Sequence, residues 1–117
     1  MRLNEITYPD GRPVDGYGPG FFRIGGVVHS GAVLVSNAGV SGWGGLGDDA
    51  PLHALAGQVD VLFIGTGPEI AHIPAGLRAG LEQAGLGVET MASPAAARTF
   101  NVLLGEGRRV AAALLPV

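Results

Sequence analysis

The sequence predicts an α/β protein, a compact three-layer single domain with a mixed sheet that spans residues 1–117. Two adjacent glycines, Gly25-Gly26, separate short apolar runs and predict an antiparallel hairpin. Later in the chain, apolar runs alternate with segments of helical periodicity, which is typical of β-α-β units. A chain of 117 residues, 47% of them hydrophobic, has enough apolar surface for one core and little room for a second domain.

The N-terminal half predicts the antiparallel hairpin section. Pro9-Asp10-Gly11 has the composition of a turn. The strands of this hairpin are predicted at Phe21–Ile24 and Val27–His29. The two glycines between them can adopt the positive φ that a two-residue hairpin turn requires. Gly31–Ser36 is expected to continue as a strand, with a bulge at Ser30-Gly31.

A glycine-rich segment follows this section. Residues 37–47 contain five glycines around Trp43 and predict a loop whose indole packs on the core. The Asp48-Asp49 pair is the candidate cap for a short helix, Pro51–Ala56, that ends at Gly57.

The C-terminal half predicts the βαβ-type section, with a right-handed first crossover. Prolines stand where helices begin, and glycines stand where helices end. The predicted elements are a strand at Val59–Ile64, a helix from Pro74 to Gly85, a strand at Val88–Met91, a helix over about 94–104 capped by Ser93, and a buried strand at Arg109–Leu115.

Composition argues against several functional classes. The net charge of −3, without a basic stripe, argues against nucleic-acid binding. The absence of cysteine excludes thiolate chemistry, and the three histidines, His29, His53 and His72, have no metal-ligand spacing. We therefore expect no metal and no cofactor.

No apolar run is long enough to span a membrane, and the N-terminus has no signal sequence, which predicts a cytoplasmic protein.

Catalytic motifs are also missing from the sequence, which favours a protein that is not an enzyme. No serine lies in a G-x-S-x-G motif. Gly65-x-Gly67 follows an apolar run, as in a dinucleotide fingerprint, but Pro68 removes an amide donor and Ile70 replaces the third glycine. We therefore interpret Gly65–Gly67 as a tight βα turn.

A polar cluster near the C-terminus has two interpretations. In the first, it is structural: Asn101 bonds to backbone, and Glu106 pairs with Arg98 or Arg108. In the second, these side chains form a polar pocket that faces the Gly65–Gly67 loop and binds a small molecule, a nucleotide or a partner, or serves as the site of an enzyme. The candidate ligand-binding or partner-binding residues are Gly65, Thr66, Gly67, Arg98, Thr99, Asn101, Glu106 and Arg108, with Trp43 as an interface anchor if it is exposed.

The same residues carry a resemblance to a known family. Trp43 after a hairpin, FIGTG at Phe63–Gly67 and ARTFNVLLGEGRRVAAAL at Ala97–Leu114 resemble a small domain of unknown function shared by bacterial and archaeal hypothetical proteins. Eukaryotic relatives of that family include a mitochondrial complex I assembly factor and an adipogenesis-associated protein. The similarity covers nearly the whole chain.

The resemblance implies a three-layer α/β fold on a mixed sheet, with no assigned activity, cofactor or catalytic residue. By family analogy, it suggests an accessory, protein-binding module that helps to assemble a respiratory complex. The expected partner is therefore a protein, and homo-oligomerisation remains open.

Overall fold

The computed structural model describes residues 11–117, so the predicted turn at Pro9-Asp10-Gly11 lies mostly outside the described residues. In chain order, the elements are β1 (Val14–Gly18), β2 (Phe21–Ile24), β3 (Val27–Ser30), β4 (Val33–Ser36), β5 (Gly39–Gly42), α1 (Ala50–His53), β6 (Val61–Gly65), α2 (Ala75–Gln83), β7 (Gly87–Met91), α3 (Ser93–Gly105) and β8 (Val110–Leu114).

The first three strands form a small antiparallel sheet in the order β1-β2-β3. The predicted hairpin is confirmed: Ile24 pairs with Val27, and the two residues between them, Gly25 and Gly26, have φ values of +57° and +84°. Both values lie in the left-handed region, which a type I′ turn requires and which glycine adopts without strain.

The chain then leaves this sheet, so the predicted bulge at Ser30-Gly31 is wrong. Gly31 has a φ of +80° and turns the backbone into β4, which belongs to a second sheet. The predicted loop over residues 37–47 is also partly wrong, because Gly39–Gly42 forms β5 and pairs antiparallel with β4. Backbone hydrogen bonds to β4 define this strand even though its first and last residues are glycines.

The second sheet is mixed and has the order β5-β4-β8-β6-β7. The two pairs β6–β7 and β6–β8 are parallel, whereas β4–β5 and β4–β8 are antiparallel. The predicted βαβ-type section is therefore confirmed. All five residues of β8 are buried, as expected for a central strand.

Side chains of the mixed sheet alternate between two hydrophobic clusters, and this alternation gives three layers. On one face, Val35, Phe63 and Ala112 pack with α3 and with Phe22 of the small sheet. On the other face, residues such as Ile64 pack with α1, α2 and the loop that carries Trp43. The predicted three-layer α/β fold is confirmed.

The helix boundaries differ in detail from the predictions. Helix α1 covers only Ala50–His53, and Asp49 at its N-cap position makes no side-chain cap hydrogen bond. Pro74 is the N-cap of α2 instead of its first helical residue. Helix α3 has Ala92 at its N-cap position, so Ser93 lies inside the helix and has another role.

Candidate functional site

The Gly65–Gly67 loop lies where β6 ends, and its polar groups are bound internally. The N–H of Thr66 donates to the Met91 carbonyl at 2.8 Å. The Thr66 hydroxyl accepts from the Ala71 N–H and donates to the Glu69 carbonyl, both at 2.9 Å. Thr66 therefore holds the following segment against the sheet, as the predicted tight turn requires.

Ser93 joins this loop to the end of the chain. Its buried hydroxyl accepts from the Gly67 N–H at 2.9 Å and donates to the Leu115 carbonyl at 2.6 Å. The Ser93 N–H donates to the Gly67 carbonyl at 2.7 Å. The prediction of Ser93 as a helix cap is wrong, because its hydroxyl bonds to other segments instead of to α3.

The absence of a side chain at Gly65 permits the close contact between the Gly65–Gly67 loop, Ser93 and the end of β8. A Cβ atom at Gly65 would lie 2.7 Å from Ser93 Oγ and 2.9 Å from Leu114 Cδ2. No real Cβ atom tolerates such contacts without movement of its neighbours. Gly65 is therefore required for the close approach of β6, α3 and β8, and this role differs from contact with a ligand.

Asn101 binds the first strand through both ends of its side-chain amide. Its Oδ1 accepts from the Val14 N–H and its Nδ2 donates to the Val14 carbonyl, each at 2.8 Å. The structural interpretation of Asn101, in which the amide bonds to backbone, agrees with this geometry. Asn101 fixes the edge of β1 to the third turn of α3.

The remaining polar candidates are distributed along α3 and beyond it. Arg98, Glu106 and Arg108 are exposed, and the hydroxyl of half-buried Thr99 lies 3.6 Å from Met91 Sδ. Among residues 11–117, Glu106 forms no ion pair with Arg98 or Arg108. The neighbouring Arg109 instead pairs with Asp60 at 3.0 Å.

These candidates do not converge on one pocket. The Gly65–Gly67 loop contacts the first residue of α3, whereas Arg108 follows its last turn, and a helix of 13 residues is roughly 20 Å long. A cleft of about 210 Å³ between β1 and α3 is lined by Arg98 and Asn101 but not by the loop. The Gly65–Gly67 loop therefore lies at the N-terminal end of α3, whereas Asn101 lies in the third turn of that helix.

Trp43 lies in the core. Its side chain is 6% exposed, and its Nε1–H donates to the Asp48 carbonyl at 2.9 Å. The indole packs with the α1–α2 face, as expected for a loop residue that covers the core. The sequence predicts Trp43 as an interface anchor only if its side chain is exposed. Because the indole is buried, Trp43 does not meet that condition.

Residues 11–117 contain no group of three or more His, Asp or Glu side chains that could hold a metal ion. His29 lies in β3, His53 lies in α1 and His72 lies in the segment between β6 and α2. His53 faces Asp49 at 3.6 Å. No helix in this range is both long and apolar enough to cross a membrane.

Comparison with known sequences confirms the predicted resemblance. The model of the family described as "Protein of unknown function (DUF498/DUF598)" matches residues 14–115. An uncharacterised protein from Rhodobacter capsulatus is 56% identical over 117 residues, which are 100% of this chain and 94% of that protein. Assembly factor 3 of the NADH dehydrogenase 1 alpha subcomplex from Danio rerio is 32% identical over 91% of this chain and 65% of that protein.

Solved structures show the same fold. A Bartonella henselae protein described as an outer membrane protein superimposes with a TM-score of 0.83 at 37% identity, over 93% of this chain and 98% of that one. A Bordetella pertussis protein described as an Mth938-like domain has a TM-score of 0.79 at 29% identity, over 99% and 92% of the two chains. Because the family match extends over nearly all described residues, the chain belongs to the DUF498/DUF598 family of proteins of unknown function.

Proposed function

We propose that this protein is a non-enzymatic accessory module of the cytoplasm that binds a protein partner during assembly of a respiratory complex. The observation that carries the proposal is the 32% identity to the complex I assembly factor, which extends over 91% of this chain. This chain spans 65% of that relative, so the shared part is the α/β domain described above.

The internal bonding of the polar residues favours contact over catalysis. Thr66, Ser93 and Asn101 each use their side-chain polar atoms to hold backbone groups of other segments. A general base or a nucleophile needs a polar atom that faces a substrate. These three side chains are therefore better suited to maintaining a surface than to carrying out a reaction.

The proposed contact surface is the α3 outer face, defined by Arg98, Val102 and Glu106, together with Arg108 after the helix. Arg98 and Val102 are spaced at i and i+4, so they share one face of α3, and Glu106 follows at i+8 as the C-cap residue. All three are exposed, and Val102 is 54% exposed although it is apolar. Arginine beside exposed apolar surface is a composition enriched at protein interfaces.

The proposal is tested in a bacterium that encodes this protein, or a close relative, together with complex I. The gene is deleted, and assembled complex I is measured by native gel electrophoresis and by NADH oxidation in membranes. We expect deletion to lower the amount of assembled complex and wild-type protein to restore it. The double variant Arg98→Ala/Arg108→Ala should accumulate normally, because both side chains are exposed, yet fail to restore assembly.

The matched control is Arg23→Ala, which removes an exposed arginine from β2 in the small sheet. It should restore assembly as well as the wild type does. A deletion strain with a full complement of complex I would contradict the assembly role. Restoration by the double variant would contradict the α3 outer face as the contact surface.

A further inference from the structure

Strand β3 is an edge strand with unusually apolar side chains. Among residues 11–117, it pairs only with β2, at one side of the small sheet. Val27 is 58% exposed and Val28 is 54% exposed, and neighbouring residues of a strand point to opposite faces. No charged residue or proline occurs within Val27–Ser30, so β3 lacks the usual side-chain protection of an edge.

The hairpin register determines which backbone groups of β3 face outward. A two-residue turn places the flanking residues, Ile24 and Val27, in a hydrogen-bonded pair. Hydrogen-bonded pairs alternate along an antiparallel ladder, so His29 also bonds to β2. Val28 and Ser30 therefore direct their N–H and C=O groups away from β2.

Two other sheet edges are covered by side chains. Asn101 binds the outward N–H and C=O of Val14 in β1. Arg78 of α2 donates to the outward carbonyl of Val88 in β7 at 3.0 Å. Within residues 11–117, no side chain performs this role for β3. Because the unpaired groups are backbone donors and acceptors in an extended segment, their natural complement is another β-strand.

We propose that β3 pairs antiparallel with β3 of a second copy of this chain, with the two-fold axis at His29. In this register, Val28 bonds to Ser30 of the second copy and Ser30 bonds to its Val28. All four outward groups of each strand are then paired. A register centred on Val28 would need the Gly26 N–H, which already binds the Asp15 carboxylate, and one centred on Ser30 would extend past the turn at Gly31.

The side chains suit the same register. On one face, Val28 lies opposite the small side chain of Ser30 from the second copy. On the other face, Val27 lies opposite Gly31, where a Cβ position has no atom within 4 Å. The exposed valine therefore has room against the second copy. This pairing joins the two small sheets into one of six strands and does not depend on the assembly role.

The first test is sedimentation equilibrium of the purified protein up to about 1 mM, since so short an interface is smaller than that of a stable complex. We expect the average mass to rise toward two chains with concentration. Val28→Lys should abolish the rise, while Val102→Lys should retain it, because Val102 is equally exposed but lies on α3. A wild-type protein that stays monomeric throughout would overturn the proposal.

The second test places a cysteine at the axis, since the natural chain has none. Directly opposite residues of a non-hydrogen-bonded pair have Cα atoms about 4.5 Å apart, within the disulfide range. His29→Cys should form a disulfide-linked dimer rapidly under mild oxidation. Val27→Cys, on the same strand, should not, because its copy lies roughly four residues away along the ladder. Equal cross-linking rates for the two variants would refute this register.

Discussion

The side-chain amide of Asn101 forms both of its hydrogen bonds with the backbone of Val14, 87 positions earlier in the chain. Val14 is the first residue of an edge strand, and Asn101 supplies one donor and one acceptor as a neighbouring strand would. A carboxylate offers only acceptors, whereas the amide carries a donor and an acceptor side by side and so satisfies both groups of Val14.

Replacing Asn101 with Ala should lower the free energy of unfolding by about 1–3 kcal/mol, because two hydrogen bonds are lost and Val14 loses both partners. Asn101→Asp should cost at least as much, because a carboxylate oxygen would then face the Val14 carbonyl. Urea denaturation measures both changes. Arg98→Ala, an exposed position on the same helix, is the control and should stay within about 0.5 kcal/mol of the wild type.

Replacing Gly65 with Ala should destabilise the protein by about 1–3 kcal/mol, because the new methyl group would overlap Ser93 and Leu114. These neighbours belong to a buried helix start and a central strand, so they cannot move independently. Thermal and urea unfolding measure the effect. An unchanged stability would mean that β6, α3 and β8 are packed less closely than the structure shows.

Replacing Gly76 in α2 with Ala should stabilise the protein, in contrast to the replacement of Gly65. A Cβ atom at Gly76 meets nothing within 4 Å, and the residue is exposed on a helix. The substitution should raise the free energy of unfolding by up to about 1 kcal/mol, since alanine favours helix more than glycine does. Gly80→Ala should gain less, because its new methyl would lie 3.2 Å from His53 Cε1.

Ser93→Ala removes the hydroxyl that joins Gly67 to Leu115. The buried Gly67 N–H and the part-buried Leu115 carbonyl lose their partner, which should cost about 1–3 kcal/mol. Amide exchange should report the change locally, with faster exchange of the Gly67 N–H. Thr99→Ala is the control, because its hydroxyl makes only a 3.6 Å contact to sulfur. Comparable losses in the two variants would contradict the special role of Ser93.

The elements that local sequence specifies were predicted well. Gly25-Gly26 specifies its turn because only positive φ closes a hairpin of two residues. The strand–helix–strand alternation from Val61 to Leu114 follows from apolar periodicity and from proline and glycine at helix ends. These signals lie within a few residues of the structure that they determine.

The features that were missed depend on residues distant in sequence. Strand β5 exists because β4 is beside it, and its glycines gave no strand signal. In the sequence, Ser93 has the position of a helix cap. Only the fold shows that its hydroxyl bonds to Gly67 and Leu115. The pairing of Asn101 with Val14 was foreseen only as an amide bound to some backbone group. Spacing along the chain could not show that the polar candidates are distributed over the length of α3.

The position of β8 has a consequence for how the chain acquires its structure during synthesis. Strands β4 and β6 touch only through β8, which follows every other strand in the chain. A ribosome therefore releases the hairpin of β4 and β5, and the crossover unit of β6 and β7, before the strand that unites them. Long-range pairing of this kind folds slowly and leaves apolar surface exposed meanwhile. We therefore expect the nascent chain to keep the apolar faces of β4 and β6 exposed until β8 emerges.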